Sequence, residues 1–275
     1  MPTLTAKRDY SIVRSLVRER AAIVLEPGKD YLIESRLDSV VRELGLSSID
    51  DLLSRLRGTR YSVLHEKVVE VMTTNETSFF RDRIPFEIFA NVLLPDVLAR
   101  RDRDRVLSLW CGACSSGQEP YTIAILLRER FPELRHWRIR FFATDISPSM
   151  IARCRQGCYS EMEVRRGMPE TLLTKYFRRC GTQWEVVDEL KMMVTFQTMN
   201  LIGTWLSFPR LDFVFLRNVL IYFDLETKKM ILRKVRSQLA PDGYLILGGT
   251  ETIGNLDDGF ERLDYRGISC YRVRT

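Results

Sequence analysis

Four short apolar runs constrain the fold more than any other feature of this chain. They are Arg105-Val-Leu-Ser-Leu-Trp110, Arg138-Ile-Arg-Phe-Phe-Ala143, Leu211-Asp-Phe-Val-Phe-Leu216 and Tyr244-Leu-Ile-Leu247. Each is too short for a buried helix and too continuously apolar for a strand with one wet face, so each reads as a fully buried strand. Helical patterns lie between them. Glu119-Pro120 opens a helix carrying Ile123, Ala124, Leu126, Leu127 and Phe131, and Ser147-Pro148 caps another. A third covers Leu225–Leu239. Strand alternating with helix predicts an α/β fold, a doubly wound and mainly parallel sheet with helices on both faces. Phe260–Leu263 and Ser269–Val273 predict a closing antiparallel pair. Between Gly157 and Asn200 the alternation breaks. There, Gln183–Val187 and Met192–Gln197 flank Asp188-Glu189, which predicts an antiparallel hairpin in a small inserted β-subdomain over about 160–198.

The first 80 or so residues follow a different pattern. Tyr31–Leu44 places Ile33, Leu37, Val40, Val41 and Leu44 at helical spacing, and Gly45 stops the helix. Ser48-Ile-Asp-Asp51 resembles a capping box ahead of Leu52, Leu53 and Leu56. Arg36 falls on the flank of the Tyr31–Leu44 helix and Arg42 opposite its apolar stripe, so both are expected to face solvent. No strand-like alternation interrupts this region. Residues 1–85 therefore read as a helical N-terminal domain with its linker, and 86–275 as the sheet domain.

Composition narrows the functional classes. The 275 residues are 45% apolar and 28% charged, enough for a sizeable core. Lys+Arg number 42 against 36 acidic residues, and 34 of the 42 are Arg. That suits bidentate capture of carboxylate or phosphate, and fits genome codon bias equally well. No window approaches a membrane span, and Met1-Pro2-Thr3 opens no signal peptide. Six Cys without a regular framework read as reduced thiols of a cytosolic protein. Cys111-Gly-Ala-Cys114 falls in a glycine turn and Cys154–Cys158 in a helix, so neither pair reads as a metal or redox site.

Three blocks can carry chemistry. In Leu107-Ser-Leu-Trp-Cys-Gly-Ala-Cys-Ser-Ser-Gly-Gln-Glu-Pro-Tyr121 a strand, a small-residue loop and a helix start form a cradle that a ligand can approach closely. Gly112 and Gly117 are five apart, which is not the dinucleotide pattern G-x-G-x-x-G. Asp145 ends the next strand, where an acid in this architecture can take ribose hydroxyls. The combination points to a nucleoside ligand; a tight turn with a helix cap is the plainer alternative. Thr73-Thr-Asn-Glu-Thr-Ser-Phe-Phe-Arg-Asp82 sets polar residues beside an aromatic pair. Leu216-Arg-Asn-Val-Leu-Ile-Tyr-Phe-Asp224 ends a buried strand in Arg217-Asn218.

Together these blocks resemble one family, the CheR-type chemotaxis receptor methyltransferases. The resemblance rests on Thr74-Asn-Glu-Thr-Ser-Phe-Phe-Arg81, Cys114-Ser-Ser-Gly-Gln-Glu-Pro-Tyr121, Ala143-Thr-Asp-Ile146, Met199-Asn-Leu201 and Arg217-Asn-Val-Leu-Ile-Tyr-Phe-Asp224, five matches in order. It implies a class I S-adenosylmethionine methyltransferase sheet with an inserted β-subdomain and an all-helical N-terminal domain. The implied enzyme is a protein-glutamate O-methyltransferase that esterifies glutamates on chemoreceptors. Asn75, Thr77, Arg81, Glu119, Asp145, Asn200, Leu201, Arg217 and Asn218 would line the cofactor site, with Arg81 and Tyr222 nearest the transferring methyl. No metal is implied. A carboxylate nucleophile needs no general base at neutral pH, which agrees with His65 and His136 lying outside every motif.

The family's receptor-docking helix matches Arg36 and Arg42, although Ser39 and Val40 stand where further arginines are expected. Some members also hold a receptor C-terminal peptide on the β-subdomain by strand addition; here the loop between Phe177 and Trp184 is shorter than in such relatives. The remaining expectations are a cytoplasmic monomer recruited to receptor arrays, without nucleic acid or membrane insertion. An RNA or DNA methyltransferase is the rival, but no Asp/Asn-Pro-Pro-aromatic motif follows Leu211–Leu216. A scaffold that has lost its cofactor is the other rival, and the matched cofactor positions oppose it.

Overall fold

A computed structural model describes residues 8–26, 28–265 and 268–274, so Met1-Pro2-Thr3 lies outside the described residues. The chain forms two units. One runs to Thr74 and takes in Tyr222–Asp224; the other holds Asn75–Ile221 and the residues from Leu225 onward.

The first unit is built of α1 (Ser11–Ala21), α2 (Asp30–Glu43), α3 (Ile49–Gly58) and α4 (Val63–Met72). Its core draws on Val13, Val17, Ile33, Leu37, Val40, Leu52, Leu56, Val68 and Met72. The expected stripe on α2 holds through Val40, but Val41 is only half-buried and Leu44 is exposed. The cause is the helix end. Gly45, at φ +63, donates to Arg42 O and Leu46 donates to Val41 O, a left-handed stop that swings Leu44 off the stripe. Ser48 caps α3 by accepting from Asp51 N at 3.1 Å, while Asp51 reaches Ser47 N rather than Ser48 N, one residue off the expected box. His65 is a cap. Its Nδ1 accepts from Ser62 N, which leaves Nε2 to donate to Leu56 O.

Arg36 corrects an expectation. Its guanidinium turns inward, donating to Met72 O at 2.5 Å and Thr74 Oγ1 at 2.9 Å, because the end of α4 offers carbonyls without helical partners. Arg42 is exposed as expected.

The second unit begins with α5 (Ile84–Ile88), which passes through a π turn at Phe89–Leu93 into α6 (Leu94–Arg101). There follow β1 (Val106–Gly112), α7 (Gln118–Arg130), β2 (Arg138–Asp145), α8 (Pro148–Gln156), β3 (Cys158–Ser160), α9 (Glu161–Arg165), α10 (Glu170–Tyr176), β4 (Phe177–Cys180), β5 (Gln183–Val186) and α11 (Asp188–Lys191). Next come β6 (Val194–Thr198), β7 (Leu211–Phe215), α12 (Leu225–Gln238), β8 (Leu239–Ile246), β9 (Phe260–Tyr265) and β10 (Ile268–Val273). The large sheet runs β6-β2-β1-β7-β8-β10-β9. It is parallel from β6 to β8, and β10 is antiparallel to both β8 and β9. This is the doubly wound architecture expected, with the closing antiparallel pair at one edge.

The sheet's faces are sealed by aromatics. Phe89 packs edge-on against Phe213 and Phe215, while Trp110 meets Trp205 and Phe208. Such aromatic pairs, edge-to-face except for the stacked Trp110 and Phe208, add to area burial. Register sets Gly112 beside Thr144, Cys111 beside Phe215 and Asp145 beside Thr198, so β1, β2, β6 and β7 end together at one carboxyl edge.

The inserted β-subdomain departs from the expected pairing. Its sheet is β3-β5-β4, and β5 makes its hairpin with β4 across Gly181-Thr182. Met192–Gln197 does not pair with it. The strand there, β6, adds in parallel to β2 at the edge of the large sheet, and the short helix α11 separates it from β5. Val194 and Phe196 satisfy the same alternation in either partner, so pattern alone could not choose. Cys158 likewise opens β3 rather than continuing the helix, which Gly157 ends at φ +65.

Candidate cofactor site

The loop after β1 is wound tightly. Ala113 and Ser115 take φ of 54° and 50°, and Gly117 enters α7 at 95°. A Cβ on Gly117 would press Cys154 Sγ and Tyr159 Oη at 3.0 Å each, so the turn has no room for a side chain. Asp145 holds this loop. One carboxylate oxygen accepts from Ser115 N at 2.7 Å and the other from Ser147 N at 3.0 Å, and the residue is 4% exposed. Ser115 Oγ donates to Asn75 O at 2.8 Å, which brings Asn75 to the same loop. Met199 N donates to Asp145 O. Beyond it Asn200 Oδ1 accepts from Ile202 N, and Leu201 is buried. Asn75, Asp145, Asn200 and Leu201 thus gather at the carboxyl edge of the sheet.

A second cluster centres on Arg217, whose side chain is fully buried. It pairs with Glu119 and with Asp82 at 3.0 Å, donates to Arg81 O at 2.8 Å and lies over the Phe86 ring at 4.8 Å. Its Nε has no hydrogen-bond partner among the described residues. Glu119 spends its other oxygen on Cys111 Sγ at 3.1 Å. Burial first, and the Glu119 carboxylate next, push the Cys111 thiol well above its ordinary range.

The segment 75–83 is strained. Phe80, Asp82 and Arg83 have φ of 49°, 64° and 33°, a conformation that costs non-glycine residues energy and persists only where the surroundings enforce it. Phe80 N donates to Thr122 Oγ1, Arg217 grips Asp82 and the Arg81 carbonyl, and Phe79 is buried with its ring 5.0 Å from Tyr159 and 5.5 Å from Phe177. Arg81 Nη1 donates to Glu76 O. A cavity of about 430 Å³ is lined by this segment, Thr77 and Arg81 included, and by Arg166 and Gly167.

Asn218, at φ 57°, stands at the end of β7. Tyr222 groups with the helical unit. Its carbonyl accepts from Val24 N at 3.2 Å, and it lines a cavity of about 140 Å³ with Ile33, Arg36 and Met72. Residues that sequence reasoning missed include Ser115, Thr122, Gly167 and Glu251. Only Glu251 left a trace, following Gly248-Gly249 directly after a strand pattern.

The donor set suits S-adenosylmethionine. Acid oxygens stand at two strand or helix ends, a small-residue loop permits close backbone approach, and an unpaired guanidinium nitrogen is buried beside them. Comparison with known proteins agrees. Residues 75–267 match the family model for the CheR methyltransferase SAM binding domain, and residues 8–73 that for the CheR methyltransferase all-alpha domain. The chain is 36% identical to chemotaxis protein methyltransferase Cher2 of Pseudomonas putida, covering 98% of this chain and 99% of that one. It is 39% identical to a chemotaxis protein methyltransferase of Vibrio parahaemolyticus (97% and 96%) and 32% identical to that of Escherichia coli K12 (95% and 89%).

Proposed function

Because the chain belongs to the CheR methyltransferase family, and is thereby an S-adenosylmethionine-dependent methyltransferase of chemotaxis, we propose that it esterifies glutamate side chains of chemoreceptors. The observation that carries the cofactor half of this reading is the pair of clamps at the sheet edge, Asp145 on the β1 loop and Arg217 on Glu119 and segment 75–83. S-Adenosylmethionine, when bound, supplies an electrophilic sulfonium methyl. The acceptor carboxylate, with a pKa near 4.3, is already ionised, so the protein's work is to bind, orient and exclude water. Asn75, Thr77, Arg81, Glu119, Asp145, Asn200, Leu201, Arg217 and Asn218 are assigned to holding the cofactor. Arg81 and Tyr222 are assigned to aligning donor and acceptor.

Receptor docking falls to Arg42 on the exposed face of α2; Arg36 is already committed to Met72 and Thr74 and takes the lesser part. A receptor C-terminal peptide would add to the outer edge of β4, which has no strand partner there among the described residues. No helix among the described residues is long and apolar enough to cross a membrane, and the proposed enzyme works as a cytoplasmic monomer recruited to receptor arrays.

The test is transfer of labelled methyl from S-adenosylmethionine to receptor-containing membranes, read as alkali-released methanol. Volatile, base-labile label that disappears with Asp145→Ala is expected. Stable label, or label in nucleic acid, would refute the acceptor.

A further inference from the structure

Glu251 is a buried carboxylate that accepts from four main-chain N–H groups, and nothing above gives it a role. It is 7% exposed. One oxygen accepts from Asn218 N at 2.5 Å and Gly248 N at 2.9 Å; the other accepts from Val219 N at 3.1 Å and Leu220 N at 3.0 Å. Four main-chain N–H groups therefore converge on one side chain, and no Lys or Arg ion pair to it occurs among the described residues. A buried carboxylate so placed is held by oriented amide dipoles alone. The fit is close: a Cβ on Gly248 would come within 2.8 Å of both Glu251 Oε2 and Asn218 Nδ2.

Three of the four donors are consecutive residues of the turn that leaves β7. That turn carries Asn218 in a left-handed conformation, directly after Arg217, and leads along the chain to Tyr222. Asparagine tolerates the left-handed φ of 57° at 218 but does not by itself require it. The three successive amides would otherwise be drawn into an ordinary helix start or left unpaired.

We propose that Glu251 is a positioning residue for methyl transfer: its carboxylate fixes the Asn218–Leu220 turn from behind and so sets the affinity of the cofactor site. This rests on the assignment of Asn218 to that site. Glutamine at 251 presents an NH2 to amides that need an acceptor, and aspartate is one methylene too short to span both pairs.

The experiment compares S-adenosylhomocysteine affinity, by calorimetry, with ligand-free thermal stability for Glu251→Gln, Asn218→Ala and Asp212→Asn. Asp212 is the control. It is also a buried carboxylate, bonded to Ser108 N and Arg101, and it lies at the opposite end of β7. The expected result is at least tenfold weaker binding for Glu251→Gln and for Asn218→Ala, with Asp212→Asn losing stability but keeping its affinity once folded. Unchanged affinity in Glu251→Gln while Asn218→Ala binds weakly would overturn the proposal and spare the site assignment. Unchanged affinity in both would overturn both. If Glu251→Gln does not fold, Glu251→Asp keeps the charge but cannot span both amide pairs, and the same tenfold loss is required of it.

Discussion

Replacing Arg217 by methionine removes a cation from a place where the chain has arranged three partners around it. The consequences divide by exposure. Asp82 is 43% exposed on its side chain and can be resolvated, so its loss is worth no more than a surface pair, about 0–1 kcal/mol. Glu119 is 13% exposed and would be left as a largely buried charge with only the Cys111 thiol for company among the described residues. Breaking a buried pair from one side costs about 3–5 kcal/mol, most of it the penalty on the survivor. Methionine keeps the packing on Phe86, so that figure should stand nearly alone. The paired variant Arg217→Met/Glu119→Gln removes the survivor's charge and should regain at least half of the loss. Tryptophan fluorescence during urea unfolding is the assay. All four tryptophans, Trp110, Trp137, Trp184 and Trp205, lie in the sheet unit, so the signal reports that unit without interference from the helical one. A loss below about 1 kcal/mol for Arg217→Met, or a double variant no more stable than the single, would refute the assignment of the energy to Glu119.

Gly167→Ala puts a methyl onto the Phe79 carbonyl at φ +104, where backbone strain alone costs about 1–3 kcal/mol; a sharply lowered melting temperature of the sheet unit is expected, and an unchanged one would disprove the contact. Stability should fall at alkaline pH. The unfolded Cys111 thiol ionises near 9 while the folded one stays protonated, so its contribution is whole below pH 9 and is lost as pH climbs toward the raised folded value, by up to about 1.4 kcal/mol per pH unit. Cys111→Ala should reduce that slope in urea titrations between pH 8 and 10, Cys114 and Cys270 keeping their own raised contributions, and an identical slope would contradict the burial argument. Arg42→Glu should raise the Michaelis constant for receptor several-fold and leave that for S-adenosylmethionine alone; parallel changes in both constants would remove the docking role.

The sheet was legible because its central strands β1 and β7 are short, largely apolar and buried almost throughout. The helical unit was legible through period and stop signals. What failed was pairing at a distance. The residues 192–197 carry a strand pattern that is the same whether they complete a hairpin or extend the large sheet, and the choice depends on β2, some fifty residues earlier in the chain. Arg36 failed for a similar reason, since the acceptors that draw it in, Met72 O and Thr74 Oγ1, lie at and just beyond the end of α4. In the site, Asp145 was expected to take ribose hydroxyls, whereas the contacts it makes within the chain are to the backbone amides of Ser115 and Ser147. Glu251 escaped because the Gly248-Gly249 before it signals only a turn, and four converging amides leave no mark on the spacing of side chains.

The burial of Phe79 bears on how such enzymes can be recombined. Its ring sits between Tyr159 of β3 and Phe177 of β4, and its carbonyl abuts Gly167, so the inserted sheet and the strained segment share one small core. The insertion is a module by topology but not by packing. A chimera that imports the β-subdomain of a relative must bring a matching aromatic at 79 and a glycine at 167 with it. Otherwise the graft will be paid for at Arg81, two residues away.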